Sequence, residues 1–187
     1  ICDLSLQWAV LSILPEKPPD RAFTAQTHPN ARLRSRGNVA PVTDSIAAPR
    51  VLVRTEGALG RLTLNRPEAI NALDLGMIQL LTEALEAWRQ DTDVQIVLID
   101  GEGERGMCAG GDVRGLHAQI VADRSDETAE FFRAEYALNA MIAEYSKPVV
   151  SLADGITMGG GVGLSGHAAI RIVTERSKLA MPETRIG

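Results

Sequence analysis

The chain has 187 residues, 45% of them hydrophobic and 23% charged, with a formal net charge of −5. That suffices for one ordinary core, excludes wholesale disorder, and argues against nucleic acid as the main partner. Two cysteines, Cys2 and Cys108, cannot build a disulfide framework, and three histidines make a structural zinc site a poor reading, so no metal is expected. The longest apolar stretch, residues 1–14, contains Asp3 and is too short to span a bilayer. It also lacks the basic start and cleavage site of a secretory signal, so no membrane partner is expected.

Residues 1–48 carry Pro15, Pro18, Pro19, Pro29 and Pro41, a basic patch at Arg32, Arg34 and Arg36, and no sustained period. Such prolines interrupt helices and sheet ladders alike. They read as a disordered or non-native extension, with an Arg-rich organellar transit segment as the alternative. The chain starts on Ile1 and stops at Ile186-Gly187 without a capping signal, which reads as a piece of a longer product.

From Arg50 onward the pattern is regular. Val51 to Arg54 and Arg61 to Leu64 read as a hairpin turning around Gly57. Asn65-Arg66-Pro67 breaks the second strand. Asp74 then caps a helix whose Met77, Ile78, Leu81, Ala84, Leu85 and Trp88 recur at three and four. Val94 to Ile99 is a buried strand, followed by a glycine-rich loop from Gly101 to Gly111. A helix over roughly 126–145 carries Phe131, Ala134, Leu138, Met141, Ile142 and Tyr145 on one stripe, and Lys147-Pro148 stops it. Val149 to Ala153 is the next strand; a second glycine-rich turn, Gly155 to Gly163, leads to a short helix near Leu164 to Ala168. Ala169 to Val173 and the short Lys178-Leu179-Ala180 read as further strands. No internal sequence repeat is visible. The alternation implies an α/β chain with parallel pairing.

Of the 17 glycines, 12 lie between Gly101 and Gly166, in two clusters that each follow a strand. Open α/β sheets bind ligands at the carboxyl ends of their strands. Gly161 to Gly166 spells G-x-G-x-x-G, but the following helix is too short for a dinucleotide site, and His167 spoils a nucleophile elbow around Ser165. What both turns offer is backbone N–H groups at helix starts, able to hold an oxyanion between them. Glu183, after the last short strand, is a titratable group for such a site, although a solvated loop residue is the plainer reading. Cys108 lacks any basic partner that would make it a nucleophile, and Asp112 reads as a helix cap.

Asn65-Arg66-Pro67 with Asn71-Ala72-Leu73, Met107-Cys108-Ala109-Gly110-Gly111-Asp112, Gly155 to Gly163, and Met181-Pro182-Glu183-Thr184 occur in the order seen in the enoyl-CoA hydratase/isomerase (crotonase) superfamily, which residues 49–187 resemble. The run Gly155 to Ser165, Phe131-Phe132-Arg133-Ala134-Glu135-Tyr136 and the M-P-E-T phrase are most similar to its subgroup that hydrolyses 3-hydroxyisobutyryl-CoA. The resemblance implies repeated ββα units, incomplete at the C-terminal end, binding an acyl-CoA thioester. By it, the Gly111 and Gly160 amides form the oxyanion hole, flanked by Gly110 and Gly159. Glu183 is the catalytic carboxylate, as base or nucleophile, and Glu135 contacts the acyl hydroxyl.

Hydratases of the superfamily carry a further glutamate where this chain has Gly163, which favours hydrolysis in valine breakdown. A hydratase or isomerase, or a non-catalytic acyl-CoA-binding module, is the alternative. The subgroup also implies an aspartate beyond Gly187 that completes the site. Coenzyme A is part of the substrate and no separate cofactor is implied; homo-oligomerisation is left open for the full-length product. The expected compartment is a bacterial cytoplasm, or the mitochondrial matrix in a eukaryote.

Overall fold

The computed structural model of the chain describes residues 48–183; the extension expected over 1–48 lies outside these residues except for its last position. β1 (Val51–Glu56) and β2 (Leu59–Leu64) form the expected hairpin, in register from Val51↔Leu64 to Glu56↔Leu59. Its two-residue turn places Gly57 at φ +60°, the conformation that primed hairpin turns demand. β3 (Ile96–Gly101), β4 (Val149–Ala153) and β6 (Ile170–Val173) join in parallel, giving the order β1-β2-β3-β4-β6. Within this sheet the β1/β2 pair is antiparallel and the others parallel.

α1 (Leu75–Gln90) buries all six residues of the stripe read from sequence, from Met77 to Trp88. The Asp74 side chain caps it, accepting from the Met77 N–H at 2.9 Å. The Trp88 ring lies so close over Gly60 that a Cβ there would come within 2.7 Å of it. α3 (Ser125–Ala143) packs beside α1, and the Tyr145 hydroxyl just beyond it donates to the Leu85 carbonyl at 2.5 Å. Leu62, Leu64, Leu81, Leu85 and Ile99 are fully buried between sheet and helices, each contributing roughly 1.5–3 kcal/mol of hydrophobic stabilisation.

A second, smaller layer positions the site. β5 (Ile156–Met158) and β7 (Lys178–Ala180) pair in parallel. Cys108 bridges Thr157 on the other side of β5, and Leu73 bridges Gly111. Four segments thus line up: Leu73, residues 106–111, β5 and β7. A main-sheet strand (β2, β3, β4 or β6) precedes each, and a helix (α1, α2 or α4) follows each of the first three. This is the repeated ββα architecture. It is a repeat of topology, which is why the sequence shows none.

Three elements differ from the sequence reading. α2 (Val113–Val121) is absent from the sequence reading, although Val113, Leu116 and Ile120 recur at three and four and Leu116 packs against the core. β5 is only three residues long. α4 (Gly160–Gly166) begins four residues before the expected Leu164, because the glycine run is itself the helix's first turn. Its N–H groups can close helical bonds there although glycine's propensity argues against a helix.

Candidate active site

Gly110 and Gly159 each hold a turn that other residues cannot easily make. Gly110 has φ +104°, and Gly159 has φ +49° with ψ −120°, a combination favoured by glycine alone. The second layer pins both. The Gly110 carbonyl accepts from the Leu73 N–H at 2.8 Å, its N–H donates to the Cys108 Sγ at 3.4 Å, and the Gly159 N–H donates to the Ala180 carbonyl at 3.1 Å. The turns abut: a Cβ on Gly110 would lie 3.1 Å from the Met158 carbonyl oxygen and 3.5 Å from the Gly160 nitrogen. The N–H groups of Gly111 and Gly160, one residue further along each turn, donate to no acceptor among the described residues.

Two carboxylates sit on the second turn. α3 presents Phe131, Glu135, Leu138 and Ile142 on its buried stripe, so Glu135 points inward and is 6% exposed. Any Cβ on Gly160 would strike Glu135 Oε1, and any Cβ on Gly159 would strike Glu183 Oε1. The glycines are therefore needed for the carboxylates as well as for the backbone. Burial, and then the charge of Glu183, raise the Glu135 pKa above the ordinary carboxylate range. Both glutamates line a cleft of about 680 Å³ whose mouth carries Phe132, Tyr136 and Met181. From the sequence, Glu183 is expected as the catalytic carboxylate and Glu135 as a substrate contact; the structure sets the two on adjacent glycines.

Of the residues expected in the site, Gly110, Gly159, Gly160, Glu135 and Glu183 come together here. Gly111, next in the chain to Gly110, packs against Phe131 and Leu116 and lines a neighbouring recess of about 340 Å³ bordered by Arg66, Arg105 and Arg114. Arg66 is held by Asp112 at 2.8 Å and by the Ala72 carbonyl at 3.2 Å. Burial alone would raise the Asp112 pKa, but the Gly115 N–H that it caps and the Arg66 guanidinium outweigh this and lower it. Asn71 latches the loop by accepting from the Arg66 N–H at 2.8 Å and donating to the Glu102 and Gly106 carbonyls.

Cys108 is fully buried and its pKa is pushed up to about 12 by desolvation, so it is a packing residue and not a nucleophile. Ser165 is buried inside α4 and bonds the Val162 carbonyl of its own helix. Among the described residues no group of His, Cys, Asp and Glu is arranged to hold a metal, and no helix is long and apolar enough to cross a membrane. Sequence reasoning missed Asn139, one turn beyond Glu135 on α3, whose side chain lies against Gly163 in the cleft. Its spacing of four from Glu135 was the available signal.

The enoyl-CoA hydratase/isomerase family model matches residues 59–187. The chain belongs to that family. Mitochondrial 3-hydroxyisobutyryl-CoA hydrolase of Mus musculus is 49% identical over 140 residues, which are 75% of this chain and 36% of that protein. The Homo sapiens protein of the same name is 42% identical over 167 residues, 83% of this chain and 43% of that one. Among solved structures, a carnitinyl-CoA dehydratase from Mycobacterium thermoresistibile is 52% identical with a TM-score of 0.72, covering 74% of this chain and 40% of its own. An enoyl-CoA hydratase from Rhodobacter sphaeroides is 49% identical with the same TM-score, covering 74% and 41%. The chain thus spans little more than a third of the length of the curated relatives it matches.

Proposed function

We propose that the polypeptide carrying this chain hydrolyses an acyl-CoA thioester, with 3-hydroxyisobutyryl-CoA, the substrate in its relatives' names, as the leading candidate in valine breakdown. The observation that carries the reading is the seating of Glu183 and Glu135 on Gly159 and Gly160, beside two turns whose Gly111 and Gly160 amides are unspent. The thioester carbonyl oxygen accepts from these two amides, which stabilise the negative charge that develops as the carbon becomes tetrahedral. Glu183, the more exposed carboxylate, takes the proton of an attacking water, or attacks the carbonyl itself to form an anhydride that water then opens. Either way the C–S bond breaks, and the departing sulfur is protonated to give free coenzyme A.

Glu135, with its raised pKa, keeps its proton to higher pH than an ordinary carboxyl and faces the acyl group. The recess bordered by Arg66, Arg105 and Arg114 beside Gly111 offers planar cations to the phosphates of the coenzyme. The setting on this reading is a mitochondrion, as in the vertebrate relatives' names, or a bacterial cytoplasm.

A second reading, hydration of an enoyl thioester, is favoured by the carboxylate pair itself and by the names of the solved structures. Free-thiol release from 3-hydroxyisobutyryl-CoA and water addition to crotonyl-CoA, measured on the intact polypeptide and its Glu183→Gln variant, separate the two. The hydrolase reading expects thiol release that falls about 10²–10⁴-fold in the variant. Water addition without thiol release contradicts it.

A further inference from the structure

Asn139 on α3 lines the cleft, together with Tyr136 on the same helix and His167 beyond α4, and the reaction as described does not use its amide. Its Oδ1 is fully buried and has no hydrogen-bond partner among the described residues. The amide lies flat over the helix opposite: a Cβ on Gly163 would come 2.6 Å from Nδ2 and 3.0 Å from Oδ1. A side chain at 163 and the amide of Asn139 therefore compete for one space, and glycine cedes it to Asn139. Of the four buried side-chain oxygens without a partner among the described residues, Thr63 Oγ1, Asp100 Oδ1, Asn139 Oδ1 and Thr157 Oγ1, that of Asn139 belongs to a residue lining this cleft, which points to a donor that enters the cleft. Asn139 shares its helix face with Glu135, one turn away, and both line the cleft with Glu183.

The cleft is rich in acceptors: the carboxyl groups of Glu135, Glu144 and Glu183 and the amide oxygen of Asn139, with the Tyr136 hydroxyl and the His167 ring also on its lining. A plain hydrocarbon acyl group would leave the amide oxygen buried and unpaired. An acyl group carrying a hydroxyl would supply the O–H that it lacks, and the hydroxyl oxygen would in turn accept from the Nδ2 hydrogens or from a protonated Glu135. We propose that Asn139 is a specificity-determining residue: with space cleared by Gly163, it selects thioesters whose acyl group bears a hydroxyl. The inference rests on the thioester-hydrolase reading and deepens it. Sites built to bond a substrate hydroxyl reject the analogue without it far more strongly than apolar pockets reject a missing methylene.

The test compares kcat/KM for 3-hydroxyisobutyryl-CoA and isobutyryl-CoA in the intact polypeptide, followed by free thiol, for the parent, Asn139→Leu and Gly163→Ala. Asn139→Leu keeps the volume and removes the polar atoms. Gly163→Ala leaves Asn139 in place but drives a methyl group into its amide, and alanine in a helix favours folding over glycine. The parent should prefer the hydroxylated thioester, and both variants should lower that preference at least about tenfold, through loss on the hydroxylated substrate. Should Asn139→Leu fail to fold, Gly163→Ala alone decides. A preference that survives the folded variants overturns the role of Asn139 while leaving the hydrolase reading intact. Thiol release from neither thioester by the parent overturns the hydrolase reading, and the inference with it.

Discussion

The starts of α1 and α4 occupy the same place in the first and third ββα units, yet they are built oppositely. At α1 an aspartate stands at the cap: Asp74 accepts from the Met77 N–H, and Arg50 pairs with the same carboxylate. At α4 the cap is Gly159, which has no side chain to offer, and the Gly160 amide stays unpaired. The unit between them is intermediate. Asp112 caps α2 by accepting from the Gly115 N–H, but Gly111 just before it keeps a free amide. A capped start spends its amides on stability, and a glycine start keeps them for a ligand. The first unit is a structural anchor, and the second and third leave free the amides that the proposed oxyanion site needs.

Substitutions at the two caps should separate these roles. Gly159→Ala forces a side chain into a left-handed backbone and against Glu183. It should lower kcat by about 10²–10³, the range for loss of an oxyanion-hole donor, and cost about 1–3 kcal/mol of stability. Steady-state kinetics and denaturant titration read both; activity within threefold of the parent would break the comparison. Asp74→Ala should do the reverse, costing about 1 kcal/mol of stability with kcat unchanged. A large loss of kcat there would place the first unit in the site.

The smallest expected effect is a pH dependence. Glu135 has a raised pKa in the folded chain, whereas the unfolded chain titrates it at about 4.3. Below that value both states hold the proton and Glu135 contributes nothing. As pH rises, the unfolded state releases its proton first, so the folded state loses stability until the raised folded value is passed. Glu135→Gln removes this cost. Its thermal midpoint should therefore exceed the parent's at pH 7 and converge with it below about pH 4. Equal midpoints at both pH values would show that Glu135 carries no burial cost.

The sequence displayed α1 in full, because sixteen residues with a 3.6-residue period leave little ambiguity; all six of its stripe residues are buried. It displayed the glycine turns as composition, and their resemblance to a family named the amides. It did not display the helical state of Gly160 to Gly163, which propensity opposes, whereas α2 went unread although Val113, Leu116 and Ile120 recur at helical spacing. Nor could it pair Glu135 with Glu183. The first lies on a stripe read as apolar and the second follows β7, and only the stacking of the second layer brings them together over Gly159 and Gly160. Asn139 was hidden for the same reason, since Gly163, against which its amide lies, stands on another element.

The claim that glycine-opened units form the site is tested most directly by amide chemical shifts of the ¹⁵N-labelled intact polypeptide, titrated with a non-hydrolysable thioether analogue of 3-hydroxyisobutyryl-CoA. The account predicts large shifts at Gly111 and Gly160 and none at Met77, whose amide Asp74 already holds. Shifts at Met77, or an analogue that binds without moving Gly111 and Gly160, would contradict it.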